Sequence, residues 1–283
     1  MRHATPLCLL VCLGLSACAT GDRAEVDRAL EDLDATDSAT LNDIMLATAE
    51  PDEAVAYFEG AVERNPGDIA LRRSLADALL RAGEPDRAVA IRARIAAAPG
   101  ARPEDRVALA GALIRTGDWA AAEAQLKRVP PAIRTYDRYR LEAMIADSHE
   151  DWDRADTYYR SAAEMTTRPA NVLNNWGYSQ LSRGNAAAAE RLFTEALSHD
   201  PSLFTAKNNI VLARSAQRDY SLPVMPTSQE DRARLLHTMA LGAIKQGDVA
   251  IGRGLLQEAL DTHPRHFEPA ARALAALSSN ISN

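Results

Sequence analysis

The chain has 283 residues, of which 47% are hydrophobic and 5% are aromatic, and its formal net charge is -7. This acidic balance argues against nucleic acid as a partner and against adhesion to anionic membrane surfaces, and it favours another protein. The three cysteines, Cys8, Cys12 and Cys18, all lie at the N-terminal end, so the rest of the chain has no thiol for an internal disulfide.

Residues 1–17 have the features of a secretory signal peptide, with Arg2 before a short apolar run and small residues after it. The run is shorter than the roughly twenty apolar residues that span a bilayer, which argues against a permanent transmembrane helix. The sequence Leu15-Ser16-Ala17-Cys18 then resembles the bacterial lipobox, which implies cleavage before Cys18 and lipidation of that cysteine. An ordinary signal peptide that is cut nearby is the alternative.

A lipid anchor on Cys18 would hold the protein at a membrane, because two acyl chains already give stable anchoring. The residue after Cys18 is Ala19, which resembles the pattern of outer-membrane lipoproteins. An aspartate at this position is typical of lipoproteins retained at the inner membrane. We therefore expect an outer-membrane, lipid-anchored protein whose folded part faces the periplasm. Residues 18–34 are predicted to form the lipidated cysteine and a tether or N-terminal helix.

A frame of about 34 residues recurs along the chain, and it is clearest between Ala170 and Leu203. The small, aromatic and helix-breaking residues of this window are Trp176, Gly177, Gly184, Ala189, Phe193, Ala196 and Pro201. They resemble the tetratricopeptide repeat (TPR), a helix-turn-helix unit. The resemblance implies an all-α fold, a TPR α-solenoid in which helix pairs stack into a right-handed superhelix.

The small residues of the frame make geometric predictions. Gly177 and Ala189 should let the two helices of one unit approach closely, Ala196 should admit the next unit, and Gly184 should end its helix in a left-handed turn. The alternative is an alanine-rich bundle or coiled coil. A coiled coil is disfavoured because a Gly or Pro falls about once per half-frame, which would interrupt its heptads.

The same frame fits other parts of the chain. Residues 35–217 are predicted to hold about five repeats plus one helix, and residues 230–283 a C-terminal TPR and a capping helix. One window departs from the pattern, because Glu150 stands where glycine is expected. The matching small and aromatic residues include Ala54, Phe58, Ala61, Ala76, Gly83, Ala88, Ala110, Gly117, Ala122, Ala143, Ala155, Tyr159, Ala162, Ala240, Gly247, Gly252 and Ala259.

Residues 218–229 are predicted to form a proline-containing linker after a helix from Phe204 to Gln217. Thr227 and Glu230 have the spacing of a capping box, which predicts that the helix resumes there. The apolar residues of the linker either pack locally or contribute to a binding groove or hinge.

The sequence has none of the common motifs for metal-dependent hydrolysis, nucleotide binding or nucleophilic catalysis. His263 and His266 flank a proline and lack a nearby third ligand, so they do not predict a metal site. We expect a protein that is not an enzyme and has no cofactor or metal. An enzyme that uses scattered, unrecognised residues is the competing class.

The TPR resemblance also implies a concave groove, lined by the first helix of each pair, that binds a segment of another protein. Asn174 and Asn208 are predicted to hold the main chain of that segment through their amides. Asn175 and Asn209 are predicted to be structural. The predicted groove consists of Arg73, Asp77, Arg140, Met144, Asn171, Asn174, Tyr178, Leu181, Asn208 and Leu212.

A finer resemblance is carried by Asn174-Asn175-Trp176-Gly177-Tyr178, Asp200-Pro201 and Lys207-Asn208-Asn209. These runs resemble the TadD family of TPR lipoproteins from Tad (tight adherence, Flp) pilus systems. The resemblance implies a pilotin-like component of pilus assembly whose partners are proteins such as the secretin, without a nucleic acid or a small-molecule substrate. Another envelope adaptor, for β-barrel assembly or for regulation of peptidoglycan synthesis, remains the alternative.

Overall fold

The structure is a computed structural model that describes residues 40–279. Within this range the regular elements are α-helices, and no strand occurs. None of these helices combines the length and the apolar character needed to cross a bilayer. The described residues divide into two compact units, one up to Pro99 and one from Gly100 onward. The predicted signal peptide, Cys18 and the tether lie outside the described residues.

The first unit consists of α1 (40–48), α2 (Pro51–Arg64), α3 (Ile69–Arg81) and α4 (Pro85–Ala97). Small residues contribute to its core, because Ala54, Ala76 and Ala88 are fully buried in one hydrophobic cluster with Phe58. Small side chains at these contacts let helix axes come close, as the repeat frame predicts. Asp68 caps α3, since its carboxylate accepts from the backbone N–H of Ala70 at 2.7 Å.

The second unit contains ten helices within the described residues, and consecutive ones are in contact. Helices two apart also touch, since α5 contacts α7 and α9 contacts α11, which is the arrangement of stacked helix pairs. The helices are α5 (Pro103–Arg115), α6 (Trp119–Lys127), α7 (Tyr136–Ser148), α8 (Trp152–Glu164), α9 (Ala170–Ser182), α10 (Ala186–His199), α11 (Phe204–Ala216), α12 (Gln229–Lys245), α13 (Val249–Thr262) and α14 (Glu268–Ser279).

A close approach between paired helices occurs at Gly177 of α9. A Cβ placed on this residue would lie 2.6 Å from Cε1 of Phe193 on α10, which is far inside van der Waals contact. Phe193 and Ala189 are themselves fully buried. The predicted close approach is therefore confirmed. Ala196, fully buried beside Ala206 of α11, confirms the predicted contact with the next unit.

The turns between paired helices share one backbone conformation. Gly83, Gly117, Gly184 and Gly247 have φ between 77° and 88°, the left-handed region that favours glycine. This confirms the predicted left-handed end of the helix before Gly184. Glu150 adopts φ 56° in the corresponding turn between α7 and α8. The residue type at this position differs from that of the other repeats, but the backbone adopts the same left-handed conformation.

Helix caps agree with the sequence at some positions. Asp118, directly after Gly117, accepts from the backbone N–H of Ala121 at 3.0 Å and caps α6. Asn185 and Asp248 stand at the equivalent position, but neither side chain caps its helix. Asp248 instead forms an ion pair with Arg218, at 3.0 Å.

The capping box predicted at Thr227 and Glu230 is wrong. Helix α12 begins at Gln229, and the hydroxyl of Ser228 accepts from the backbone N–H of Asp231 at 3.0 Å. Ser228 therefore takes the capping position one residue later. Thr227 and Ser228 are both good caps, and spacing alone did not separate them.

Residues 217–228 are non-helical and connect α11 to α12. Leu222 and Met225 pack against the core between α10, α11 and α12, whereas Val224 is fully exposed. The buried Lys207 donates from Nζ to the carbonyl of Pro226 at 2.6 Å and holds the end of the segment. Most of the apolar side chains of this segment thus pack locally.

Helices α11 and α12 run parallel. Thr238 donates to Asn208 at 2.8 Å near the start of α11, and Gln246 donates to the carbonyl of Ser215 at 3.5 Å near its end. Partners on both helices therefore advance in the same direction. Residues 217–228 return the chain to the starting end of α11, as the second helix of a pair does in the other repeats.

Candidate functional site

The second unit contains an open cavity of about 500 Å³, formed by α7, α8, α9 and the starts of α6 and α11. We call it the α7–α9 cavity. Its lining combines aromatic rings, amides and hydroxyls and includes one carboxylate. The lining residues are Trp119, Met144, Asp147, Ser148, Trp152, Tyr159, Asn174, Asn175, Tyr178, Ser179, Ser182, Thr205 and Asn209.

Two asparagines tie α9 to α11 at the wall of this cavity. The side-chain nitrogen of Asn209 donates to the side-chain oxygen of Asn174 at 3.0 Å, and both residues are buried. The bond satisfies the oxygen of Asn174 and fixes the rotamer of its side chain. The side-chain N–H groups of Asn174 therefore remain as potential donors, and Asn209 makes a structural contact as predicted.

Asp147 of α7 is half-buried and accepts two hydrogen bonds. The hydroxyl of Tyr159 donates to one carboxylate oxygen at 2.7 Å, and the hydroxyl of Ser179 donates to the other at 2.7 Å. Burial raises the pKa of Asp147 above its ordinary value, although the two hydroxyls favour the ionised form and oppose the shift. Burial, followed by the neighbouring Asp147, likewise raises the pKa of Tyr159.

Aromatic side chains form the exposed rim of the cavity. Trp119 is 37% exposed and Tyr178 is 58% exposed, which is high for side chains of this size. Trp152 carries the guanidinium of Arg183 over its ring at 5.3 Å. Arg183 is in turn ion-paired with Asp156, outside the lining. The rim can therefore take the apolar part of a ligand, and one of its rings already accepts a cation.

The structure brings three of the predicted groove residues together in this cavity, namely Met144, Asn174 and Tyr178. Asn208 lies outside its lining, and its side-chain oxygen accepts from Thr238 of α12 at 2.8 Å. Leu181 is partly buried and packs with the core around Phe193.

The remaining predicted groove residues also lie outside the lining of the cavity. Asn171 is exposed on α9, and Leu212 is half-buried on α11. Arg140 pairs with Asp137 at 3.2 Å. In the first unit, Arg73 is half-buried on α3, and Asp77 of the same helix is ion-paired with the buried Arg92 of α4.

Sequence reasoning left several cavity residues out of the predicted groove. Tyr159 occupies the frame position at which two other repeats have a phenylalanine, Phe58 and Phe193. Its extra hydroxyl is the sequence feature that could have indicated a polar contact there. Ser179 gives no comparable signal, because its role depends on Asp147, 32 positions earlier in the chain. Trp119 reaches the cavity from the start of α6, outside the helices from which the groove was predicted.

The two histidines near the C-terminal end make local contacts. The ring of His263 stacks on Phe267 with 5.0 Å between centroids, and His266 lies 3.0 Å from a carboxylate oxygen of Glu268. In residues 40–279, no group of three or more His, Cys, Asp or Glu side chains is arranged to hold a metal ion.

The sequence of residues 45–105 matches the family model of the tetratricopeptide repeat. The same helix-pair architecture extends through both units, and solved TPR structures superpose on most of the chain. The fold is a TPR α-solenoid. No curated protein matches the chain in sequence.

Three solved structures illustrate this similarity. The Cut9–Hcn1 heterotetramer of the APC/C has a TM-score of 0.61 at 13% identity, over 83% of this chain and 47% of that chain. A thermophilic TPR protein of Thermus thermophilus gives 0.53 at 20% identity, over 63% and 96%. A TPR protein of Parabacteroides merdae gives 0.53 at 12% identity, over 88% and 98%. The chain thus spans about half the length of the first of these.

Proposed function

We propose that this chain is a non-catalytic adaptor of the bacterial envelope, anchored by lipid at Cys18, that binds an extended segment of a partner protein in the α7–α9 cavity. We further propose that it serves Tad/Flp pilus assembly at the outer membrane and supports the secretin there. The observation that carries the binding role is the cavity itself, with a fixed amide donor, a carboxylate and exposed aromatic rings in one place.

The chemistry of the lining suits a polypeptide. An extended segment presents backbone N–H and C=O groups at regular intervals, and Asn174 offers a donor for a carbonyl. Since Asn209 already fixes Asn174, little side-chain entropy is lost when the donor is used. Tyr178 and Trp119 offer apolar surface for side chains of the segment.

The envelope part of the proposal is supported by sequence features. The lipobox resemblance around Cys18 provides an anchor, and the runs from Asn174 to Tyr178 and from Lys207 to Asn209 resemble those of the Tad lipoproteins. The first run lies on α9 and contains two of the cavity residues predicted for the groove, so the motif and the proposed binding site coincide.

Photo-crosslinking in the native bacterium tests the binding role. A benzoyl-phenylalanine at Tyr178 should capture a discrete partner, because this side chain is exposed at the rim of the cavity. The matched control places the same probe at Arg253, an exposed residue of α13. Identical adducts from both positions, or none from Tyr178, would contradict a binding role for the cavity.

Deletion of the gene tests the pilus assignment separately. We expect loss of secretin multimers or of surface pili, and restoration of both by the wild-type chain. Normal pili in the deletion strain would refute the pilus role. A crosslinked partner from β-barrel assembly or peptidoglycan synthesis would then assign the chain to another envelope system.

A further inference from the structure

The carboxylate of Asp147 lacks the counter-charge that comparable carboxylates have. Half-buried acids on α7, α8 and α10 pair with arginine: Glu142 with Arg138 at 2.8 Å, Asp156 with Arg183, and Glu190 with Arg214 at 2.8 Å. Among the described residues, no arginine or lysine forms an ion pair with Asp147. Its two partners are hydroxyl groups, which donate hydrogen bonds and bring no positive charge.

The cavity around Asp147 is otherwise uncharged. Of the lining residues in the described part of the chain, Asp147 alone carries a charge at neutral pH. The charge of Arg183 acts on Asp147, but Arg183 is already ion-paired with Asp156. Partial removal of a carboxylate from water without a cation is costly, and a cation that arrives in the cavity would reduce this cost.

The aromatic rim favours a cation as well. Tryptophan and tyrosine faces attract ammonium and guanidinium groups through the negative charge of the ring face. Trp119 and Tyr178 are exposed at the cavity, and Arg183 over Trp152 shows such a contact within the same site. Carboxylate and aromatic faces together suit a side chain with an apolar stem and a positive end.

We propose that the α7–α9 cavity binds a lysine or arginine side chain of the partner segment, with Asp147 as its counter-ion and Tyr178 and Trp119 along its stem. This inference rests on the proposed binding function and specifies the chemistry of the bound residue. The segment is held by its main chain at Asn174 and selected by its basic side chain at Asp147.

The test uses the full chain purified in detergent and capped heptapeptides, acetyl-Ser-Thr-Ser-Xaa-Ser-Thr-Ser-amide, in which Xaa is lysine, arginine, norleucine or glutamate. Binding is followed by calorimetry and by tryptophan fluorescence, to which Trp119 and Trp152 at the cavity contribute. We expect the lysine or arginine peptide to bind at least tenfold more tightly than the norleucine peptide, and the glutamate peptide to bind most weakly.

Matched variants assign the preference to Asp147. Asp147→Asn keeps the size of the side chain and one acceptor oxygen but removes the charge, and it should reduce the basic preference below about threefold. Asp153→Asn removes one carboxylate from an exposed position of α8 and should leave the preference unchanged. Equal loss in both variants would indicate a general charge effect and would overturn the proposal.

Variants of an exposed residue provide a second test that does not depend on the stability of Asp147→Asn. Tyr178→Phe keeps the aromatic face, so it should retain more of the preference for basic peptides than Tyr178→Leu. Tyr178→Leu should weaken the affinity for the lysine and arginine peptides about threefold. The affinity for the norleucine peptide should change less. Equal affinity for all four peptides, or binding of none, overturns the basic-residue inference. The proposed function is judged independently by the crosslink and the deletion strain.

Discussion

Gly177→Ala isolates the energetic role of the small residue at the α9–α10 contact. The new Cβ would lie 2.6 Å from Cε1, 2.7 Å from Cδ1 and 3.1 Å from Cζ of Phe193. Comfortable carbon contacts are about 3.5–4.0 Å, so an overlap of about 1 Å must be relieved. Phe193 is fully buried, so its ring cannot turn out into solvent to relieve the overlap.

The magnitude follows from two opposing effects. Overpacking in a core costs about 1–3 kcal/mol, whereas alanine in place of a mid-helix glycine contributes about 0.5–1 kcal/mol. We therefore expect Gly177→Ala to lower the free energy of unfolding by about 1–2 kcal/mol. For a unit of this size, that corresponds to a fall in Tm of roughly 2–8 °C.

Circular dichroism of the full chain during urea and thermal unfolding measures the effect. The matched control is Gly254→Ala on α13, where a Cβ has no neighbour within 4 Å, so that variant should be stabilised by up to about 1 kcal/mol. Phe193→Leu in the Gly177→Ala background should recover part of the loss. If both glycine variants were stabilised equally, the argument from close approach would be wrong.

Three further predictions follow from other sites. Glu150→Gly should stabilise the chain by about 1 kcal/mol in a urea titration, because φ 56° is strained for a residue with a Cβ. Asp147→Asn should raise the free energy of unfolding at neutral pH, because ionisation of an acid with a raised pKa is disfavoured in the folded state. This gain should shrink as the pH falls towards 3.8, the ordinary pKa of an aspartate, because the folded protein then holds Asp147 in its protonated form. Cys18→Ser should abolish palmitate labelling and release the protein from membrane fractions; continued labelling would refute lipidation there.

The sequence predicts the helix pairs well because their contacts recur at a fixed period. Ala189, Phe193 and Gly177 each occupy a frame position that other repeats fill with similar residues, so one window informs the next. The turn at Glu150 shows that the repeat geometry persists where the residue type differs, because its backbone keeps the left-handed conformation without a glycine. Packing of the flanking helices imposes that turn against the local preference.

The binding site is less accessible to sequence reasoning, because its polar network joins residues from three helices. Asp147, Tyr159 and Ser179 lie on α7, α8 and α9, and no local motif links them. The frame places Met144, Asn174 and Tyr178 on one side of their helices. It does not show that Asn208 is engaged by Thr238 instead. Which side chain Asn208 bonds depends on the exact rotation of α11 against α12, and the repeat frame does not specify that rotation.

The non-helical segment between α11 and α12, residues 217–228, is a site in the second unit where the chain can be cut or extended. Val224 projects fully into solvent within a segment that has no helical hydrogen bonds of its own, so a protease has better access here than inside any helix pair. After such a cut, the bond from Lys207 to the carbonyl of Pro226 and the Arg218–Asp248 ion pair would still join the pieces. A nicked chain would thus remain assembled, and the same place would accept inserted sequence with little loss of the repeats on either side.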